Sequence, residues 1–186
     1  MLDWEQLTNE CKSCTRCGLG SGRLNAVIGR GSRTAPMLLI GEGPGEQEDR
    51  QGMPFVGPAG KLLDTLLLAL MFREGDYYIG NIVKCRPPAN RIPLDEEAQQ
   101  CIGFLRNQVA LIKPKIIVCL GATAAKYIID KEAKISQIRG QWTEKKGCSI
   151  MPTFHPAALL RDDTKKELMW QDFKKVRQRF DETCQK

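Results

Sequence analysis

Four short, mainly apolar runs recur along this chain, at residues 37–40, 77–83, 115–120 and 149–154. Each is too short for a buried helix. Each is also bounded by Gly, Pro or charged residues, the pattern of a buried strand. Helical patterns lie between them. Leu62, Leu63, Leu66, Leu67 and Leu70 form an apolar face at helical spacing, entered through Pro58-Ala59-Gly60. A second helix spans 95–112, with Pro93 before it, Asp95 as its N-cap and Pro114 beyond its end. Further helices are expected at 2–10, at 122–129 after Gly121, and at 164–180. Strands alternating with helices predict a parallel sheet of four strands covered on both faces.

At 186 residues the chain reads as one domain, 1–186, with room for a sizeable core. No apolar run is long enough to span a membrane; the longest, 62–72, is broken by Asp64 and Thr65. The first residues lack a basic stretch followed by an apolar core, so a cytoplasmic location is expected. The net charge of +6 permits a polyanionic partner. The basic residues at 165–179 alternate with acids, which reads as the solvated face of a helix.

The first apolar run ends abruptly in Gly41-Glu42-Gly43-Pro44-Gly45. Acids follow (Glu46, Glu48, Asp49), then Gly52-Met53-Pro54-Phe55-Val56-Gly57. Open α/β sheets bind their ligands in loops of this kind, beyond the carboxyl ends of the strands. The loop lacks the Lys and Ser/Thr of a phosphate-gripping P-loop, and its glycines miss the dinucleotide spacing. It offers close backbone, carboxylates and one aromatic ring, a set suited to a flat neutral heterocycle. The only histidine, His155, stands at the end of the fourth run. A histidine at a strand end is most often structural, and an asparagine such as Asn81 is most often a satisfied turn amide. Here Glu42, Asn81 and His155 all fall at predicted strand ends, and that coincidence favours a site.

The eight cysteines, in a chain without a secretory signal, point to a metal or cluster site rather than to disulfides. Cys14-x2-Cys17 is a gripping pair, and Cys85 and Cys101 are able to complete four thiolates. Spacing alone does not separate a [4Fe–4S] cluster from tetrahedral zinc. Cys11 is a rival ligand, Cys119 reads as a core residue, and Cys148 and Cys184 read as structural or incidental.

Four separated motifs, in order, resemble the family 4 uracil-DNA glycosylases, the iron–sulfur branch of their superfamily. They are Gly41-Glu42-Gly43-Pro44-Gly45-Glu46-Gln47-Glu48-Asp49, Gly52-Met53-Pro54-Phe55-Val56-Gly57, Asn81-Ile82-Val83-Lys84-Cys85-Arg86-Pro87-Pro88, and His155-Pro156 with Arg161. The resemblance runs from about Cys14 to beyond Arg161. It implies a three-layer α/β/α sandwich and a [4Fe–4S] cluster on Cys14, Cys17, Cys85 and Cys101 that staples the N-terminal segment in place. It also implies a monomer that takes single- or double-stranded uracil-containing DNA and cleaves the N-glycosidic bond in base excision repair.

By the same resemblance, a flipped uracil stacks on Phe55 and is read by the Asn81 carboxamide. Gly43 lines the base or sugar. Glu48 shapes the pocket, excludes the thymine methyl group and holds the loop with Asn90. His155 stabilises the departing anion, and Glu42, or else the loop backbone, orients or polarises the attacking water. Lys84, Arg86 and Arg91 contact phosphates, while Leu159, Leu160 and Arg161 enter or grip the DNA. A related branch keeps a histidine after the second strand and traps its product covalently. Here the segment reads Asn90-Arg91-Ile92-Pro93, so ordinary turnover is expected. Three other readings remain: a glycosylase-like module that binds DNA or a polymerase without activity, a different hydrolase or nucleotide-binding enzyme on a similar fold, and a glycosylase that also accepts deaminated purines.

Overall fold

A computed structural model describes residues 1–184. The chain runs α1 (Trp4–Lys12), α2 (Leu19–Gly22), β1 (Arg30–Gly31), β2 (Met37–Gly41), α3 (Glu46–Gln51), α4 (Pro58–Ala69), β3 (Tyr77–Asn81) and α5 (Asp95–Ile112). It continues with β4 (Ile116–Leu120), α6 (Ala122–Ile128), α7 (Ile135–Ile138), β5 (Thr143–Lys145), β6 (Cys148–Thr153), α8 (Pro156–Leu159) and α9 (Thr164–Cys184).

The sheet order is β1-β3-β2-β4-β6-β5. The inner four strands are parallel, as the apolar runs imply. The expected four-stranded sheet is corrected to six strands, because short antiparallel strands β1 and β5 close the two edges. Neither edge strand carries an apolar run. Arg30–Gly31 and Thr143–Lys145 are polar and exposed or half-buried, so periodicity gives no signal for them.

Residue alternation along the inner strands divides the core in two. Leu38, Ile40, Ile117, Cys119 and Ile150 face α1, α5 and α6. Met37, Leu39, Ile116, Val118, Leu120 and Met151 face α4 and α9. A slip of one residue would exchange the two sets, so both packed faces fix the register. Three layers result. That register also sets Gly41 beside Asn81 and Leu120 beside Thr153, so the strands end along one rim.

Helix bounds shift from expectation: α1 spans Trp4–Lys12 rather than 2–10, and α9 runs to Cys184 rather than 180. The N-cap of α5 is Leu94 rather than Asp95; the Glu97 carboxylate accepts the Leu94 N–H at 2.8 Å and does the capping. The acidic stretch 46–51 is the helix α3, with Glu46, Glu48 and Asp49 in its first turn, where carboxylates complement the helix dipole. Two arginines of α9 are paired, Arg177 with Asp181 and Arg179 with Glu144 at 2.9 Å, while Lys175 donates to the Gly140 carbonyl. Among the described residues, no helix is long and apolar enough to cross a membrane.

Candidate active site

The rim formed by the carboxyl ends of β2, β3, β4 and β6 opens into a cleft of about 670 Å³. Glu42, Gly43, Glu48, Phe55, Asn81, Asn90, Arg91, His155 and Arg161 line it. The sequence reading and the topology thus converge on one place.

Gly41 governs the centre of the cleft. A Cβ there would stand 2.5 Å from Asn81 Oδ1 and 2.7 Å from Phe55 Cζ. Glycine is therefore what lets the carboxamide and the ring close in on the strand end. Asn81 is 2% exposed, and its Oδ1 is buried without a hydrogen-bond partner. An orphan acceptor of this kind costs stability unless a ligand supplies the donor. Phe55 lies beside it in a left-handed backbone conformation, φ 56°. Its carbonyl accepts a long hydrogen bond, 3.4 Å, from Arg30, which also pairs with Asp64. The rings of Phe55 and His155 lie 5.6 Å apart, tilted by 31°.

His155 caps α8, and its Nδ1 accepts the Ala157 N–H at 3.1 Å. An acceptor nitrogen carries no proton, so the neutral ring is protonated at Nε2. Burial lowers the His155 pKa to about 4, with the nearby Arg161 cation contributing and Glu48 opposing. The imidazole is neutral at physiological pH and offers one N–H. Gly121 (φ +94°) makes room for it, since a Cβ there would lie 2.9 Å from His155 Cβ.

Glu48 is the keystone of the loop. Its carboxylate accepts N–H groups of Gly45, Val56 and Gly57 at 3.1, 2.9 and 2.8 Å. It thereby clamps both arms of the Gly/Pro segment around Phe55. Asn90 is not its partner in this: Asn90 Oδ1 accepts from Arg86 Nε at 2.8 Å. Asn90 is held instead from the β3 side, by Arg86. Glu42 accepts a hydrogen bond from the Thr123 hydroxyl in the first turn of α6. Motif reading passed over Thr123 and Gly121. The carboxyl end of β4 is a rim position like the others and is where they would have been sought.

The DNA-contact candidates divide. Arg161 is exposed at the rim, and Leu160 is 52% exposed beside it. Leu159 is 3% exposed and packs into the core, so it cannot enter DNA as expected. Lys84 is likewise corrected. It is 1% exposed, its ammonium donates to the Asn81 carbonyl at 2.9 Å and Gln108 Oε1 at 2.7 Å, and it offers no surface charge. Arg91 lies in a two-pronged pair with Glu97, at 2.7 and 2.8 Å, and Arg86 leans toward Glu46 at 3.6 Å. Their charges are largely engaged. Ile92, 68% exposed, lines the rim and went unread in the sequence.

On the α1/α5 side of the sheet, Cys14, Cys17, Cys85 and Cys101 line one pocket together with Cys11. Arg23 donates to Cys85 Sγ at 3.1 Å, and the Lys84 backbone N–H donates to Cys101 Sγ at 3.2 Å. Such donors favour thiolate sulfur. Burial pushes the Cys101 thiol up to about 11, against the pull of Lys84, and pushes the Cys11 thiol up to about 12. Among the described residues, no three Cys, His, Asp or Glu side chains converge closely enough to hold a single metal ion. Four thiol side chains lining one pocket are a donor set that suits a thiolate-bound metal or iron–sulfur cluster. Cys119 is fully buried in the core, as expected.

A parallel-sheet rim with a buried orphan amide, an aromatic face and a neutral histidine defines a site for a planar polar ring. Residues 28–175 match the family model of the uracil DNA glycosylase superfamily, to which the chain belongs. It is 46% identical over 162 residues to the type-4 uracil-DNA glycosylase of Thermotoga maritima, covering 85% of this chain and 83% of that protein. It is 42% identical to the type-4 enzyme of Sulfurisphaera tokodaii (94% and 83% covered) and 39% identical to that of Archaeoglobus fulgidus (95% and 92% covered).

Proposed function

We propose that this chain excises uracil from DNA by hydrolysing its N-glycosidic bond, leaving an abasic site for base excision repair. The observation that carries the reading is the buried, unpartnered Asn81 Oδ1 facing a cleft walled by Phe55 and His155. Uracil supplies the missing donor through N3–H, and its O4 accepts from the amide NH2. Cytosine presents the reverse pattern and would leave buried polar groups unpaired. The base reaches the cleft flipped out of the strand and stacked on Phe55. Gly43 brings backbone close to the base or sugar. Glu48, by holding the loop arms, sets the wall against which a thymine methyl group would press.

Cleavage leaves negative charge on uracil O2 and a cation-like sugar. In this reading the His155 Nε2–H donates to that oxygen, and a preformed donor of this kind supplies a large share of the charge stabilisation. Glu42 orients the water that attacks the sugar carbon. As the new C–O bond forms and the C–N bond breaks, uracil departs with the electron pair and the Glu42 carboxylate takes a proton from the water. Arg161 holds a phosphate and Leu160 fills the gap left by the base. Arg86 and Arg91 contribute at the rim only if their Glu46 and Glu97 pairs yield.

The cysteine pocket fits a [4Fe–4S] cluster held by Cys14, Cys17, Cys85 and Cys101. When bound, it would staple the N-terminal segment and the loop after β3 to α5, making the chain a single domain. The protein then acts as a monomer in the cytoplasm. The test is an excision panel on single- and double-stranded oligonucleotides carrying uracil, hypoxanthine, xanthine or thymine. Rapid release of uracil with none of thymine is expected. DNA binding without base release would leave only a binding module, and purine release would widen the range. No heat-stable DNA adduct should appear on a denaturing gel.

A further inference from the structure

Lys84 stands between the two sites. Its ammonium is buried and contacts neutral acceptors: the Asn81 carbonyl and Gln108 Oε1. Gln108 is fixed in that orientation because its Nε2 donates to the Ile28 carbonyl at 2.9 Å. The Lys84 backbone is equally committed. Its N–H donates to Cys101 Sγ, its carbonyl accepts from Val27 at 2.8 Å, and the next residue is Cys85. Among the described residues no carboxylate pairs with Lys84. A buried cation without a counter-charge is costly. The neighbouring groups able to provide one are the sulfurs of the cysteine pocket, which Lys84 itself lines.

At its other end the latch acts on the residue that reads the base. The Asn81 carbonyl is gripped by Lys84, while the next two residues are zipped to the catalytic loop: Ile82 N–H donates to Gly41 O at 2.9 Å and Val83 N–H to Glu42 O at 3.1 Å. Residues 81–85 therefore form one rigid run from carboxamide to thiolate. We propose that Lys84 is a positioning residue, its buried ammonium balancing the negative charge of the thiolate-bound cluster while its grip on the Asn81 carbonyl sets the base-reading carboxamide. This inference rests on the cluster reading given above.

The test compares Lys84→Met with the intact protein by visible absorbance and iron content, the midpoint potential of the cluster, and kcat/KM on a uracil oligonucleotide. Loss of a nearby cation makes an added electron less welcome, so the midpoint moves to a more negative potential. Loss of the grip on Asn81 lowers kcat/KM by about tenfold or more. The two changes must occur together. A shifted potential with unaltered kcat/KM, or reduced kcat/KM with an unaltered potential, would overturn the coupling. If Lys84→Met does not fold, Gln108→Glu decides by the same measurements. It places a carboxylate against the ammonium, which offsets the cation's field at the thiolates and draws the ammonium off the Asn81 carbonyl, so both effects should persist in reduced form. An unmodified protein free of iron after anaerobic preparation would refute the cluster reading itself, before any variant is compared.

Discussion

The base cleft and the cysteine pocket lie on the same protein but are built on opposite plans. The cleft is finished by the fold. Glu48 is saturated by backbone donors, His155 has its tautomer set by Ala157, and Asn81 lies in register with Gly41. Its open demand is a donor for Asn81 Oδ1. The pocket gathers its cysteines from the segment after α1, the loop after β3 and the middle of α5, and direct N–H donors reach Cys85 and Cys101. In the proposed reading the sheet rim preorganises chemistry, whereas the pocket depends on the cluster it would hold. Mutations in the first should strike rate, and mutations in the second should strike folding.

His155→Ala is the sharpest test of that division. Excision should fall by about 10²–10³-fold, the usual loss when a single charge-stabilising donor is removed. Melting temperature and iron content should stay close to those of the parent. A loss of iron with the loss of rate would erase the distinction between the two regions. Asn81→Asp comes next. A carboxylate accepts but does not donate, so O4 loses its partner, and kcat/KM on uracil should drop about 100-fold or more. Cys85→Ala should act the other way round. Iron and solubility are lost first, and the residual folded fraction keeps the base preference of the parent, measured as the ratio of uracil to hypoxanthine release.

The same contrast explains what the sequence makes legible. The inner strands and the Asn81, His155 and Glu42 positions are readable because apolar runs mark buried strands and parallel sheets act at their carboxyl ends. Edge strands β1 and β5 carry no such run. Lys84 looked like a phosphate contact because a lysine beside arginines is ordinarily a surface charge. Its burial follows from Gln108, 24 residues away on α5, which no local pattern foretells. Leu159 and Leu160 are adjacent and similar, yet one turn of α8 sends the first into the core and leaves the second at the rim. The Thr123 partner of Glu42 was hidden for a different reason: its importance lies in a side-chain contact, not in a residue pattern.

A pH experiment separates the regions with a smaller signal. In the unfolded chain His155 takes a proton near its ordinary value of 6.5, but in the fold it resists until about 4. Between those values the unfolded state binds more protons, so stability from the neutral, buried ring is full above about pH 6.5 and declines as pH falls toward 4. Denaturant midpoints measured across that window should fall more steeply for the parent than for His155→Asn. Parallel curves would mean the ring is not held neutral by burial.

Arg161→Ala is expected to do least, and it refines the claim that rate belongs to the rim. Arg161 is exposed and near enough to His155 to help hold its pKa down, yet it makes no ion pair among the described residues. If its task is to hold a phosphate, the variant should bind uracil and uracil-free DNA more weakly by a similar factor. The slope of log affinity against log salt should also shrink by about one unit. The His155 pKa would rise slightly as the cation leaves, while single-turnover excision at saturating DNA stays near the parent rate. A large loss of saturated rate with an unchanged salt slope would move Arg161 from DNA grip to chemistry, and the rim would then hold a second group acting on the developing charge.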